Sequence, residues 1–168
     1  MSALNIVALI VFISLILVGC GRSPAEEADL LCLKRSDLRL VVATMKRDQR
    51  GIEASLEEGA DANASVEGLG PPVVIAAFTD SYDAVKLLLD KGADVNSRDS
   101  DGYTPLIHAC LSGNRQIVQL LLAKGADVNA PFYPVVSGKK EKLTALTVAK
   151  SRGWDEIAKL LVEAGAKE

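Results

Sequence analysis

One histidine and three cysteines are all that this chain offers for imidazole or thiol chemistry, which removes most metal-site and catalytic-triad options. Two of them, His108 and Cys110, lie close enough in sequence to be weighed as a catalytic pair. Two positions apart on a helix, they stand about 200° apart around its axis and point to opposite faces. A Cys-His dyad is therefore excluded wherever that segment is helical. No Cys or His set with zinc spacing surrounds His108, so it reads as a helix-surface or loop-bonding residue, and Cys110 as a buried packing residue. Asp99-Ser-Asp101-Gly102 opens like a calcium loop, yet the twelfth position, counted from Asp99, is Cys110 where a bidentate Glu is needed. It reads instead as a turn, in which Asp and Gly suit the backbone. Gly68-Leu-Gly70 lacks the third glycine of a dinucleotide fingerprint and runs into Pro71-Pro72, and no phosphate-binding loop is present. The expectation is no catalytic residue, no metal and no cofactor.

Composition narrows the partner. Nineteen basic against twenty-two acidic side chains give a formal charge of -3, which leaves no basic surplus to neutralise phosphates. Nucleic acid is not expected, nor is a small-molecule substrate. At 168 residues, 49% hydrophobic and 24% charged, the chain suits one modest globular domain. Its aromatic content of 4% is thin material for a single compact core.

The elements that must position any site begin after an address-like N-terminus. Ile6 to Val18 reads IVALIVFISLILV, in which Ser14 alone is polar. As a helix it spans about 20 Å, short of the ~30 Å hydrocarbon thickness. The run ends in Leu17-Val18-Gly19-Cys20, which resembles the lipobox of bacterial lipoproteins. That resemblance implies diacylglycerol on the Cys20 sulfur, cleavage just before it, and residues 1–19 as a signal peptide. MSALN departs from the pattern in carrying no Lys or Arg. An uncleaved anchor and a core helix are the competing readings of the same run. Ser23-Pro24-Ala25-Glu26 is a capping box with Pro at the first helical position. Residues 20–36 are accordingly expected to be the lipidated cysteine, a tether of about 10 Å and a leading helix. The protein would then sit lipid-anchored at a bacterial envelope membrane, facing the periplasm, with inner and outer membrane both open. Cys32, on the leading helix, lies too far from Cys110 for a bridge, which leaves it free or paired between chains.

Beyond residue 36 the chain repeats. Glu58-Gly-Ala-Asp-Ala-Asn63, Lys91-Gly-Ala-Asp-Val-Asn96 and Lys124-Gly-Ala-Asp-Val-Asn129 recur every 33 residues, and Ala164-Gly-Ala-Lys167 is a worn copy. Pro72 to Asp94, Pro105 to Asp127 and Ala145 to Lys167 are each 22 residues apart. Tyr103-Thr-Pro-Leu-Ile-His-Ala109 and Leu143-Thr-Ala-Leu-Thr-Val-Ala149 carry the matching upstream signal. The pattern resembles the ankyrin repeat, a β-turn followed by two antiparallel helices. It implies an all-α solenoid over residues 37–168, with units at about 37–63, 64–96, 97–129 and 130–168. The first unit has Arg39-Leu40 and the last Ala145 where the others carry Pro.

The physical content of the pattern needs no family name. Pro opens a short first helix; a second carries Val85-Lys-Leu-Leu-Leu89, Ile117-Val-Gln-Leu-Leu-Leu122 or Ile157-Ala-Lys-Leu-Leu-Val162 and must bury one face against its neighbours. Gly59, Gly92, Gly125 and Gly165 stand where that helix ends in a left-handed residue. Ala43, Ala76, Ala109 and Ala149 are small where helices stack. Stability is then a sum of nearest-neighbour interfaces.

Thr104 to Thr144 is 40, so seven extra residues lie in the last finger loop, Asn129 to Leu143. There Pro131 and Pro134 bracket Phe132-Tyr133, which either serve recognition or tuck onto the stack.

The ankyrin resemblance implies a protein partner, contacted by the finger tips and by two residues after each first helix's small pair. Carried over by position these are Met45 and Lys46, Phe78 and Thr79, Leu111 and Ser112, and Ser151 and Arg152. The fingers add Ser100, Asp101 and Tyr103, with Phe132 and Tyr133 in the extended one. Met45, Phe78 and Leu111 are expected to form an apolar stripe; the competing reading packs them on adjacent helices. Three functions fit: an immunity-type inhibitor of a toxic periplasmic effector such as a lipase, a scaffold for a periplasmic stress-response enzyme, or, least supported, an enzyme.

Overall fold

The structure is a computed structural model that describes residues 35–66, 68–136 and 139–167. The lipobox, Cys20, Cys32 and the Ser23 to Glu26 box lie outside these residues. Ser36 to Glu168 forms one compact unit, built from helix pairs. The pairs are α1 (Arg35–Met45) with α2 (Gln49–Glu57), α3 (Pro72–Phe78) with α4 (Tyr82–Asp90), and α5 (Pro105–Ser112) with α6 (Arg115–Ala123). α7 (Ala145–Arg152) with α8 (Asp155–Glu163) completes the array. β1 (Val135–Val136) and β2 (Lys139–Lys140) make a minimal antiparallel pair inside the seven-residue insertion. The expected all-helical array is thus present, with that one short strand pair added.

Sequence dictates these boundaries locally. Pro72 and Pro105 occupy the first turn of α3 and α5, where the missing N–H costs nothing. Thr104 caps α5 by accepting from the Ile107 amide, and Thr144 caps α7 in a reciprocal box with Thr147. Each second helix ends on a glycine with φ between 85° and 93°: Gly59, Gly92, Gly125 and Gly165. Only a residue without Cβ adopts that conformation at no steric cost. The chain then folds back, with Ala93 donating to Leu88 O and Ala126 to Leu121 O.

First helices stack on first helices, α3 on α5 on α7, and second on second, α2 on α4 on α6 on α8. One continuous apolar cluster runs from Leu40 to Leu161. Ala76, Ala109 and Ala149 are fully buried in it and Ala43 nearly so, which is why larger side chains would push neighbouring helices apart.

The Gly-Ala-Asp-x-Asn motif does more than end a helix. Asp61, Asp94 and Asp127 each accept through Oδ1 from the amide of the Asn two residues on, at 2.9 Å. That bond aims the Asn side chain at the next unit. Asn63 Oδ1 accepts from Asp94 N at 2.7 Å, Asn96 Oδ1 from Asp127 N at 2.7 Å, and Asn129 Oδ1 from Lys167 N at 2.8 Å. Asn63 and Asn129 also donate to Gly92 O and Gly165 O. Asp37 on α1 serves the first rung, accepting from Asp61 N at 2.8 Å.

Candidate partner-binding face

Phe78 closes α3 and leaves 61% of its surface exposed. Its ring meets the edge of His108, centroid to centroid 5.4 Å. His108 in turn stacks on Tyr103 at 5.2 Å, and Tyr103 leans on Phe132 at 4.8 Å. Four rings contributed by two helices and two finger loops therefore form a continuous row. Such edge and offset contacts each add about 0.5–1.5 kcal/mol beyond burial.

The row is aimed by a carboxylate. Asp99 Oδ1 accepts from the amides of Asp101 (3.0 Å) and Tyr103 (2.9 Å), closing the finger turn, while Oδ2 meets His108 Nε2 at 2.8 Å. Burial of Asp99 works to raise its pKa, but the bond to His108 and those from the two amides outweigh it and hold the carboxyl below its usual value. Tyr103 is shifted the other way, by burial first and then by the charges of Asp101 and Asp99. Asp99 to Gly102 is thus a turn, and His108 bonds that loop, as their residue types imply. Cys110 is wholly buried and its thiol is pushed up to about 12 by burial alone. Burial thus disfavours the thiolate at this position, and His108 is engaged by Asp99. Among the described residues no group of His, Cys, Asp or Glu is arranged to hold a metal.

The residues expected to touch a partner divide sharply. Phe78, Lys46, Ser100, Asp101, Arg152 and Tyr133 are exposed. Phe132 is a correction: it is only 3% exposed and is paired across the finger with Leu143, so it braces the loop from within and offers no ring to a partner. The apolar stripe is also less uniform than its spacing implies. Leu111 packs against the core and Met45 is half-buried, which leaves Phe78 as the large exposed member. Thr79, Ser112 and Ser151 spend their hydroxyls on Ala76 O, Ala109 O and Val148 O of their own helices. Tyr103 is half-buried between His108 and Phe132.

Sequence reasoning missed Arg98. Its Nη1 donates to Gly102 O at 2.8 Å and to Pro131 O at 2.7 Å, tying the third finger to the fourth. It also missed Trp154, whose ring lies over Gly113, so close that a Cβ there would stand 2.6 Å from it. Trp154 stands at the second-helix N-cap, where the other units carry Asp48, Ser81 and Asn114, so its departure from that pattern was a signal the sequence offered; Arg98 had none.

Residues 40–131, more than half of the chain, match the family described as ankyrin repeats in three copies. The chain is a member of the ankyrin-repeat family. Ankyrin repeats generally mediate protein–protein interaction and are typically non-enzymatic. No curated protein matches the sequence. The matched residues stop short of α7 and α8, which stack on α5 and α6 as a further helix pair. No helix among the described residues is long and apolar enough to cross a membrane.

Proposed function

We propose that this ankyrin protein is a non-catalytic interaction module with four repeats. In this reading it is held by lipid at Cys20 on the periplasmic side of a bacterial envelope and grips a protein partner through the face bearing Phe78 and the third and fourth fingers. One observation carries the reading: Phe78 stands 61% exposed at the end of α3, braced edge-on by His108. A phenyl side chain left in water forgoes about 2 kcal/mol of burial, which a docking surface recovers. Lys46, Ser100, Asp101, Tyr133 and Arg152, all exposed, supply polar and aromatic groups at the positions through which ankyrin repeats reach partners, and Met45, Thr79, Ser112 and Ser151 occupy the matching helix positions. The anchor is supported by the apolar run from Ile6 and by Leu17-Val18-Gly19-Cys20.

A photo-crosslinking residue at position 78 or 133 in cells is expected to capture one discrete protein. The same residue at position 162, exposed on α8, is expected to capture none. Equal capture from all three positions would sink the assignment of the face. For the anchor, metabolic labelling with palmitate is expected to mark the wild-type chain and not Cys20→Ser.

A further inference from the structure

The sequence of the fourth finger is rich in lysine for a negatively charged protein. Lys139 to Lys142 contains three lysines and one glutamate, in a chain whose net charge is -3. Lys142 is exposed, and beside this finger lies Arg98. Both hydrogens of Arg98 Nη1 go to carbonyls, Gly102 O at 2.8 Å and Pro131 O at 2.7 Å. Those two bonds hold the guanidinium across the third and fourth fingers. A guanidinium carries five donors in a plane, so Nε and Nη2, the edge that grips a carboxylate with two parallel bonds, remain available. Among the described residues no acid pairs with Arg98. The group lines a shallow depression together with Ser100, Asp101, Pro131 and Tyr133. Tyr133 is 52% exposed there.

The geometry points to a carboxylate-binding site: the depression receives an acidic side chain from a Glu- or Asp-rich segment of the protein partner. Arg98 forks the first carboxylate, the Tyr133 ring covers the adjoining stretch of peptide, and the exposed Lys142 meets a further acid. A pre-held guanidinium loses little side-chain freedom on binding, which is where an exposed arginine ordinarily forfeits its gain. A concave depression suits a protruding side chain, which favours an acidic segment over the broad surface of an anionic membrane. This inference rests on the reading of the finger-bearing face as an interaction surface.

The test is fluorescence anisotropy of the full chain in a neutral detergent with a labelled Glu-rich dodecapeptide at low salt. A Lys-rich dodecapeptide and vesicles containing an anionic phospholipid serve as comparisons. Binding of the Glu peptide is expected, weakening about tenfold in Arg98→Gln as a charge-assisted bidentate contact is lost. Arg98→Lys keeps the charge without the fork and is expected to recover only part of that loss. Lys142→Glu, which touches none of the Arg98 bonds, is expected to weaken binding about threefold, so a finger loosened by the Arg98 substitution cannot by itself produce the pattern. Undiminished binding in both Arg98→Gln and Lys142→Glu, equal binding of the Lys peptide, or displacement of the Glu peptide by the anionic vesicles would each overturn the site. If position 78 crosslinks a partner in cells while the Glu peptide fails to bind, this inference falls alone; if position 78 captures nothing specific, the proposed function falls with it.

Discussion

The third and fourth fingers deliver the same thing, a threonine at the N-cap of the following helix, by different means. In the third the turn is closed by a side chain: Asp99 takes the Asp101 and Tyr103 amides and His108 together. In the fourth, seven residues longer, the work passes to backbone pairing between Phe132 and Leu143 and to the Phe132 ring sunk into the core. A short loop is shaped by one carboxylate placed at its start. A long one needs a ladder and an apolar plug, because loop-closure entropy and a freer tip must be offset. The difference teaches why the longer finger carries an exposed Tyr133 next to a buried Phe132.

Breaking the plug is expected to have the largest effect. Phe132→Ala should lower unfolding free energy by about 3 kcal/mol, read from urea denaturation, because a buried ring is replaced by a cavity. A loss under about 1 kcal/mol would show that the finger is not anchored through this ring. Removing the carboxylate comes next. Asp99→Ala should cost about 2 kcal/mol by leaving two amides and His108 without their acceptor, and should speed hydrogen exchange at Asp101 and Tyr103 while sparing Leu143.

Acid should separate the fingers as well. The Asp99 carboxyl is held below its usual pKa in the folded chain, so the stability it contributes is fully present above the unfolded value, about pH 4, and is lost as pH falls through the lower folded value. Wild type should therefore destabilise on acidification below about pH 4 more steeply than Asp99→Asn, measured as melting temperature against pH. Parallel curves would remove Asp99 from the account. The smallest effect is expected from excising Pro134 to Lys140, which restores the 33-residue spacing. The strand pair lost bonds chiefly to itself, so stability should change by less than about 1 kcal/mol, while Glu-peptide binding should fall with the lysines.

Much of this was readable in advance, and the reasons are specific. Gly92 and Gly125 announce left-handed helix ends because few other residues tolerate them, and Ala76 and Ala109 announce close packing by size. Adjacent residues on extended backbone face opposite ways, so Phe132 and Tyr133 could have been divided into one buried and one exposed ring had the pairing with Leu143 been foreseen. Leu111 shares the register of Phe78 but not its surroundings, and spacing carries no information about neighbours. The Asp99 to His108 bond crosses from loop to helix over nine residues, outside any helical or strand period. Arg98 acquires its meaning only when Pro131, 33 residues on, is brought beside it.

The asparagine rungs give the array a direction. Asn63, Asn96 and Asn129 each reach forward to the loop of the following unit, so every such loop after the first depends for one amide partner on the unit before it. Loss of an early asparagine therefore leaves an amide of the following loop without its acceptor. A chain growing from its N-terminus would find each new loop's acceptor already waiting, and could set its units one after another as they emerge.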